Sequence, residues 1–236
     1  MKSIIKKLII GKVSFKKQNS ISPLKKRIQN IESIWNNDHQ DDNGIEKIVR
    51  LILSFSQLLF PGIYIKYFAH KKGIEYQDLA LDIYVLVKVA FPLVILINHW
   101  NNNKILVGMM IYVMLETIFY IPTLIFASDL FSKPRSYKRS MLLLFLNYFE
   151  VVFAFGVLYS IGNCMNKPFL HWFDSVYFSI VTSSSIGYGD YYPVNLLGKV
   201  LVSIQSMFFL SFVVLFLNFF STKVKAKGYF DHENKD

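Results

Sequence analysis

Thr182-Ser183-Ser184-Ser185-Ile186-Gly187-Tyr188-Gly189-Asp190 lies between two apolar segments, and its reading decides the fold. Glycine takes φ > 0 without steric cost. Gly187 and Gly189 therefore let the backbone turn successive carbonyls to one side while side chains point away. Tyr188, between them, can anchor the strand through its ring and hydroxyl. A Gly-x-Gly pair is also an ordinary turn signal, so the flanks must decide. Upstream, residues 169–181 are a short apolar-aromatic stretch, with Asp174 and Ser175 as N-cap candidates. That stretch is too short to cross a bilayer and suits a re-entrant helix. Downstream, Asp190-Tyr191-Tyr192-Pro193 marks a turn, and residues 198–220 are long enough to span. Non-helical backbone at membrane depth survives only when buried in protein or lining water.

Composition points the same way. Of 236 residues, 53% are hydrophobic and only 18% charged, which places the chain among membrane proteins. The single cysteine, Cys164, excludes an intrachain disulfide and reads as an exposed thiol just beyond a membrane helix. No metal-ligand spacing, phosphate loop or nucleophile elbow is present, so nothing in the sequence supports an enzyme or a cofactor. The net charge of +10 fits loops beside anionic lipid rather than nucleic acid.

The run then reads as an ion-selectivity filter spanning Thr182, Ser185, Ile186, Gly187, Tyr188, Gly189 and Asp190. The carbonyls of Ser185, Ile186, Gly187 and Tyr188 would replace the hydration shell of a K⁺ ion. Asp174-Ser175-Val176-Tyr177-Phe178-Ser179-Ile180-Val181-Thr182, then Ser185-Ile186-Gly187-Tyr188-Gly189-Asp190, resembles the pore loop of the tetrameric potassium channel family. The resemblance covers about residues 141–222. It implies a homotetramer, one filter strand per subunit, and K⁺ as permeant ion. The family's usual filter begins with threonine. Ser185 keeps the hydroxyl and loses a methyl, which keeps a weakly selective cation channel open as an alternative. A regulatory membrane subunit with a silent pore is the reading from another class. Val181 stands where some members carry a glutamate that pairs with the filter aspartate. Asp190 must find another partner: a tyrosine hydroxyl, the Trp172 indole or water. Phe209 stands at the family's frequent glycine hinge, so filter gating or a twist at Ser206 or Ser211 replaces a wide bend.

The expected fold is an all-α integral membrane protein. Two upstream transmembrane helices precede a helix–pore-loop–helix domain. Residues 1–44, with nine cations from Lys2 to Arg27 and no acid before Glu32, read as a flexible cytoplasmic tail that attracts anionic lipid. Apolar segments follow at 48–69, 79–99, 105–130, 141–162 and 199–221, the last four each able to span ~30 Å at ~1.5 Å per residue. Pro92 and Pro122 are expected to kink two of them. The pore domain divides into an outer helix, a pore helix at 169–182, a filter at 185–189 and an inner helix at 199–221; 223–236 is a second tail. The resemblance places both flanking helices' far ends in the cytoplasm, with Lys133, Arg135, Lys138, Arg139, Lys223, Lys225 and Lys227 on that side. Residues 45–70 contain Arg50, Gln57 and Pro61-Gly62 and read as a broken interfacial or re-entrant helix with both flanks cytoplasmic. Five spans are the alternative. A multi-pass protein of the plasma membrane follows.

No segment carries Arg or Lys at every third position, so steep voltage gating is not expected. The 16 residues from Ser221 onward are too few for a sensor domain, so a sensor would come from a partner. Asp82 is near a helix end and is expected to snorkel. Lys88 and Glu150 each lie ~13 Å deep at ~1.5 Å per residue, with Glu116 within a lysine's reach. A Lys88–Glu150 or Lys88–Glu116 pair would dock the upstream helices on the pore. Leu210, Val213 (or Val214), Leu217 and Ser221 recur at helical spacing as pore-lining candidates, and Leu217 is a candidate dewetting constriction. Tyr192, three residues past Gly189, is expected to ring the outer mouth.

Overall fold

A computed structural model describes residues 22–38, 43–127 and 137–223; of residues 74, 75, 137 and 219–223 it describes the backbone alone. Within them the chain is helical: α1 (Pro23–Asn36), α2 (Gly44–Ser56), α3 (Pro61–Lys72), α4 (Ile74–Ile97), a 3-10 turn, α5 (Lys104–Phe126), α6 (Tyr137–Tyr159), α7 (Trp172–Ser183) and α8 (Leu196–Lys223). Four of these helices are long and apolar enough to cross a membrane, or five if α2 and α3, which meet at a 58° bend, form one span. It is a multi-pass membrane protein.

The first 44 residues are not wholly a tail. Ser22 accepts a hydrogen bond from the Lys25 amide, Pro23 occupies the first helical turn, and Asn37 closes α1 in the left-handed conformation. Ile34 then buries against Ala127 at the end of α5. The lysines from Lys2 to Lys17 lie outside the described residues, as do Lys133, Arg135, Lys225 and Lys227.

The helix bounds move against expectation by a few residues. α4 begins at Ile74 rather than 79, because Gly73 ends α3 and starts α4 at once. Pro92 and Pro122 sit inside α4 and α5 without ending either. Asp82 is partly exposed and is also paired. Arg139 reaches across from α6 and pairs with Asp82 at 2.7 Å and Asp78 at 3.1 Å, which clamps α4 to α6. The core is a block of α4, α5 and α6 side chains continued by α7 and α8, including Ile95, Met114, Phe155, Val176 and Phe212. Between membrane helices such packing and interhelical hydrogen bonds, rather than exclusion from water, hold the assembly.

Candidate functional site

α7 is placed by its N-terminus. His171, not Asp174 or Ser175, is the N-cap. Its imidazole accepts from the Asp174 amide, while the Asp174 carboxylate accepts from the amides of His171 at 3.0 Å and Leu170 at 2.9 Å. The arrangement is a capping box with histidine in the usual serine place. The His171 and Leu170 amides, with the Tyr191 hydroxyl at 3.3 Å, hold Asp174 below the ordinary carboxylate range. Tyr191 also packs on Phe169, ring centroids 4.9 Å apart, so the segment after the loop is tied to the segment before α7.

α7 ends at Ser183, and the chain leaves it in an alternating conformation. Ser185, Gly187 and Gly189 have φ of +57°, +64° and +83°, while Ile186 and Tyr188 between them are not on the positive side. Alternation in the sign of φ can turn successive carbonyls to one side of the strand and successive amides to the other. The glycines were expected at positive φ. Ser185 was not, since serine seldom adopts it. The left-handed Ser185 follows from its hydrogen bond to the last turn of the helix: its amide donates to the Thr182 carbonyl at 3.2 Å, and the Ile186 amide to Val181 at 3.1 Å.

Tyr177 is the tyrosine on which Asp190 acts electrostatically; its hydroxyl is raised above an ordinary phenol by desolvation and by that carboxylate's charge. Asn166 fixes the far end of the loop. Its side chain accepts from the Tyr192 amide and its own amide donates to the Tyr192 carbonyl, both at 3.0 Å. Met165 and Pro193 form an antiparallel bridge beside it. Tyr188 and Tyr192 are exposed in the single chain.

Behind the loop lies a polar chain that the sequence did not announce. The Tyr159 hydroxyl donates to Gln205 Oε1 at 2.6 Å. Gln205 Nε2 donates to the carbonyl and hydroxyl of Ser179 at 2.9 and 2.8 Å. Ser179 in turn donates to the Val152 carbonyl at 2.6 Å. One glutamine thereby joins α8, α7 and α6. The Tyr148 and Ser183 hydroxyls, 3.0 Å apart, tie α6 to the last residue of α7.

Residues 141–226 match the model of a family described as ion channel. No curated protein and no solved structure matches the chain. Over that stretch the chain is similar to ion-channel pore domains. The stretch begins within α6 and contains α7, the alternating loop and α8. Along α8, Leu210, Val214 and Leu217 share an exposed face with Met207. Val213 is half-buried in the single chain, whereas Val214, the alternative to it, is exposed. The side chain of Ser221 lies outside the description. α8 runs unbroken past Phe209, whose ring packs on Tyr148 at 6.4 Å. Cys164 is fully buried rather than exposed, donating weakly to the Ile161 carbonyl at 3.5 Å.

Lys88, Glu116 and Glu150 converge outside this loop. Lys88 Nζ lies 3.1 Å from Glu150 Oε2 and 3.8 Å from Glu116 Oε2, so both pairings expected as alternatives occur together. Thr117, which the sequence did not single out, bridges them: it accepts from Lys88 and donates to Glu150, each at 2.6 Å.

Proposed function

We propose that the chain is the subunit of a homotetrameric, potassium-selective channel that passes K⁺ down its gradient in a cell membrane. One observation carries the reading: positive φ recurs at Ser185, Gly187 and Gly189, with residues between them that are not on the positive side. That alternation is what a row of inward carbonyls requires. Four copies around an axis would surround the ion with the carbonyls of Ser185, Ile186, Gly187 and Tyr188, between Thr182 and Asp190. The exposed strip of Met207, Leu210, Val214 and Leu217 supports assembly, since a lone subunit leaves it uncovered; in a tetramer it would line the inner cavity or meet a neighbour. Tyr192 would ring the mouth, and the Tyr177–Asp190 contact would brace the filter from behind. With no sensor-like run of Arg or Lys, the channel is not steeply voltage-gated.

Reconstitution of the purified protein into liposomes tests this. K⁺ flux with a reversal potential near the K⁺ equilibrium value, from a species of four subunits by cross-linking, is expected. A reversal potential indifferent to K⁺ against Na⁺ would favour a weakly selective cation channel. Absence of flux would favour a regulatory subunit with a silent pore.

A further inference from the structure

Pro61-Gly62 reads in sequence as a helix breaker. In the fold it begins a helix, and that beginning faces a carboxylate. The Gly62 amide, in the first turn of α3, donates to Glu116 Oε1 at 3.0 Å. A Cβ at Gly62 would fall on that same oxygen, so any larger residue there must push the carboxylate off the α3 amide. The hydroxyl of Tyr84 on α4 bonds to the other oxygen, Glu116 Oε2. One helical turn earlier, Tyr112 of α5 donates to the Leu59 carbonyl at 2.6 Å. Phe60 is buried between the rings of Tyr112 and Phe119, at 5.6 and 6.0 Å. The elbow joining α2 to α3 is thus seated on three successive turns of α5, near that helix's midpoint.

The charges explain why the seat matters. Lys88 and Glu150 are buried, at 5% and 1% exposure, and Glu116 is nearly so. Two carboxylates share one ammonium. Such an excess is unfavourable at membrane depth unless something positive completes it. A helix N-terminus carries roughly half a positive charge and free amides. α3 presents that end to Glu116, and with Tyr84 it leaves Lys88 to serve Glu150. If the elbow leaves, Glu116 loses its amide and competes for Lys88. Glu150 sits on α6 two residues before Val152, whose carbonyl holds Ser179 of α7. A physical path therefore runs from the elbow through Glu116, Lys88 and Glu150 to the helix behind the loop.

We propose that Glu116 is a positioning residue that latches the α2–α3 arm to α5 and, through Lys88 and Glu150, couples it to the pore domain, so that docking of the arm sets how often the pore is open. The path acts on open probability, leaving the permeating ion's own contacts untouched. The assignment rests on the channel reading above, and its test separates the two.

The test uses the full-length protein carrying Gly62→Ala, which pushes the Glu116 carboxylate off the α3 amide without altering charge, Glu116→Gln, which keeps the volume and removes the charge, and both together. Amide hydrogen exchange of residues 57–62 reads docking without any need for conduction. Single-channel recording in bilayers reads open probability, unitary conductance and K⁺/Na⁺ selectivity. Each single variant is expected to speed exchange at the elbow and to shift open probability by a factor of about 5 or more. Conductance and selectivity should stay at the wild-type values, and the double variant should match the singles rather than multiply them. Unchanged exchange in both variants would overturn the latch. Faster exchange with unchanged open probability would leave a purely structural network and equally overturn the proposal. A wild-type protein without K⁺ current defeats the channel reading itself, and exchange at the elbow still decides whether Glu116 holds the arm.

Discussion

Gln205 and Ser179 meet twice, through the serine's carbonyl and its hydroxyl. They lie 26 positions apart on α8 and α7, and both are buried. The inner helix is therefore fastened to the short helix that aims the loop, and neither can shift alone without stranding a buried donor. Gln205→Leu should destabilise the folded protein by about 1–3 kcal/mol, the usual consequence of leaving buried partners unmade. Tyr159→Phe should cost less, about 1 kcal/mol, since only the amide oxygen loses its donor. In the double variant the effects should fall short of their sum, as expected for one network. Denaturant unfolding of the detergent-solubilised protein checks this; strictly additive losses would sink the coupling.

Gly187 and Gly108 make a matched pair. A methyl group meets nothing within 4 Å at either position of the single chain. Only Gly187 has positive φ, at +64°. Alanine there carries roughly 1–2 kcal/mol of left-handed strain in each subunit, borne by the residue whose carbonyl is proposed to bind the ion. Gly187→Ala should abolish liposome K⁺ flux, whereas Gly108→Ala should retain it and strengthen α5 by up to about 1 kcal/mol. Comparable flux from both would refute the role of the left-handed residue.

Asp174 sets an acid limit. Its carboxylate is held below the ordinary value chiefly by the His171 amide. A carboxylate depressed in the folded state contributes stability that is present above its unfolded pKa and is lost as pH falls through the folded one. The capping contribution to α7 should therefore be intact at neutral pH and fade below about pH 4. The unfolding midpoint followed down the acid range should drop more steeply in wild type than in Asp174→Asn. Parallel curves would argue that the cap is energetically silent.

The Tyr192 backbone is held at both its amide and its carbonyl by Asn166, while its ring is exposed in the single chain. In the proposed tetramer four such rings would offer a cation–π seat of about 0.5–2 kcal/mol for a quaternary ammonium ion. External tetraethylammonium should block the wild-type channel more strongly than Tyr192→Val. Equal block in both would remove Tyr192 from the mouth.

How much was readable beforehand varies with the kind of signal. The spans were legible because length and hydropathy act locally, and Lys88 with Glu150 was legible because depth can be counted along two helices. Gly187 and Gly189 announced their backbone; Ser185 could not, since its φ is imposed by hydrogen bonds back to α7. Gln205 looked like an isolated polar residue in an apolar helix, because its partners are distant in sequence. Ser22-Pro23 did carry a helix-start signal, masked by the lysines around it. Pro61-Gly62 showed a break, yet nothing local indicated that Glu116, 54 residues on, would be waiting at it.

The burial of Cys164 has a practical side. Its sulfur is closed off beside the loop's far end, and it is the chain's single thiol. Thiol reagents that need an accessible group will pass the native protein by. A cysteine introduced at the arm, the loop mouth or the α8 face would then report its own surroundings against a silent background, with the native sequence otherwise intact.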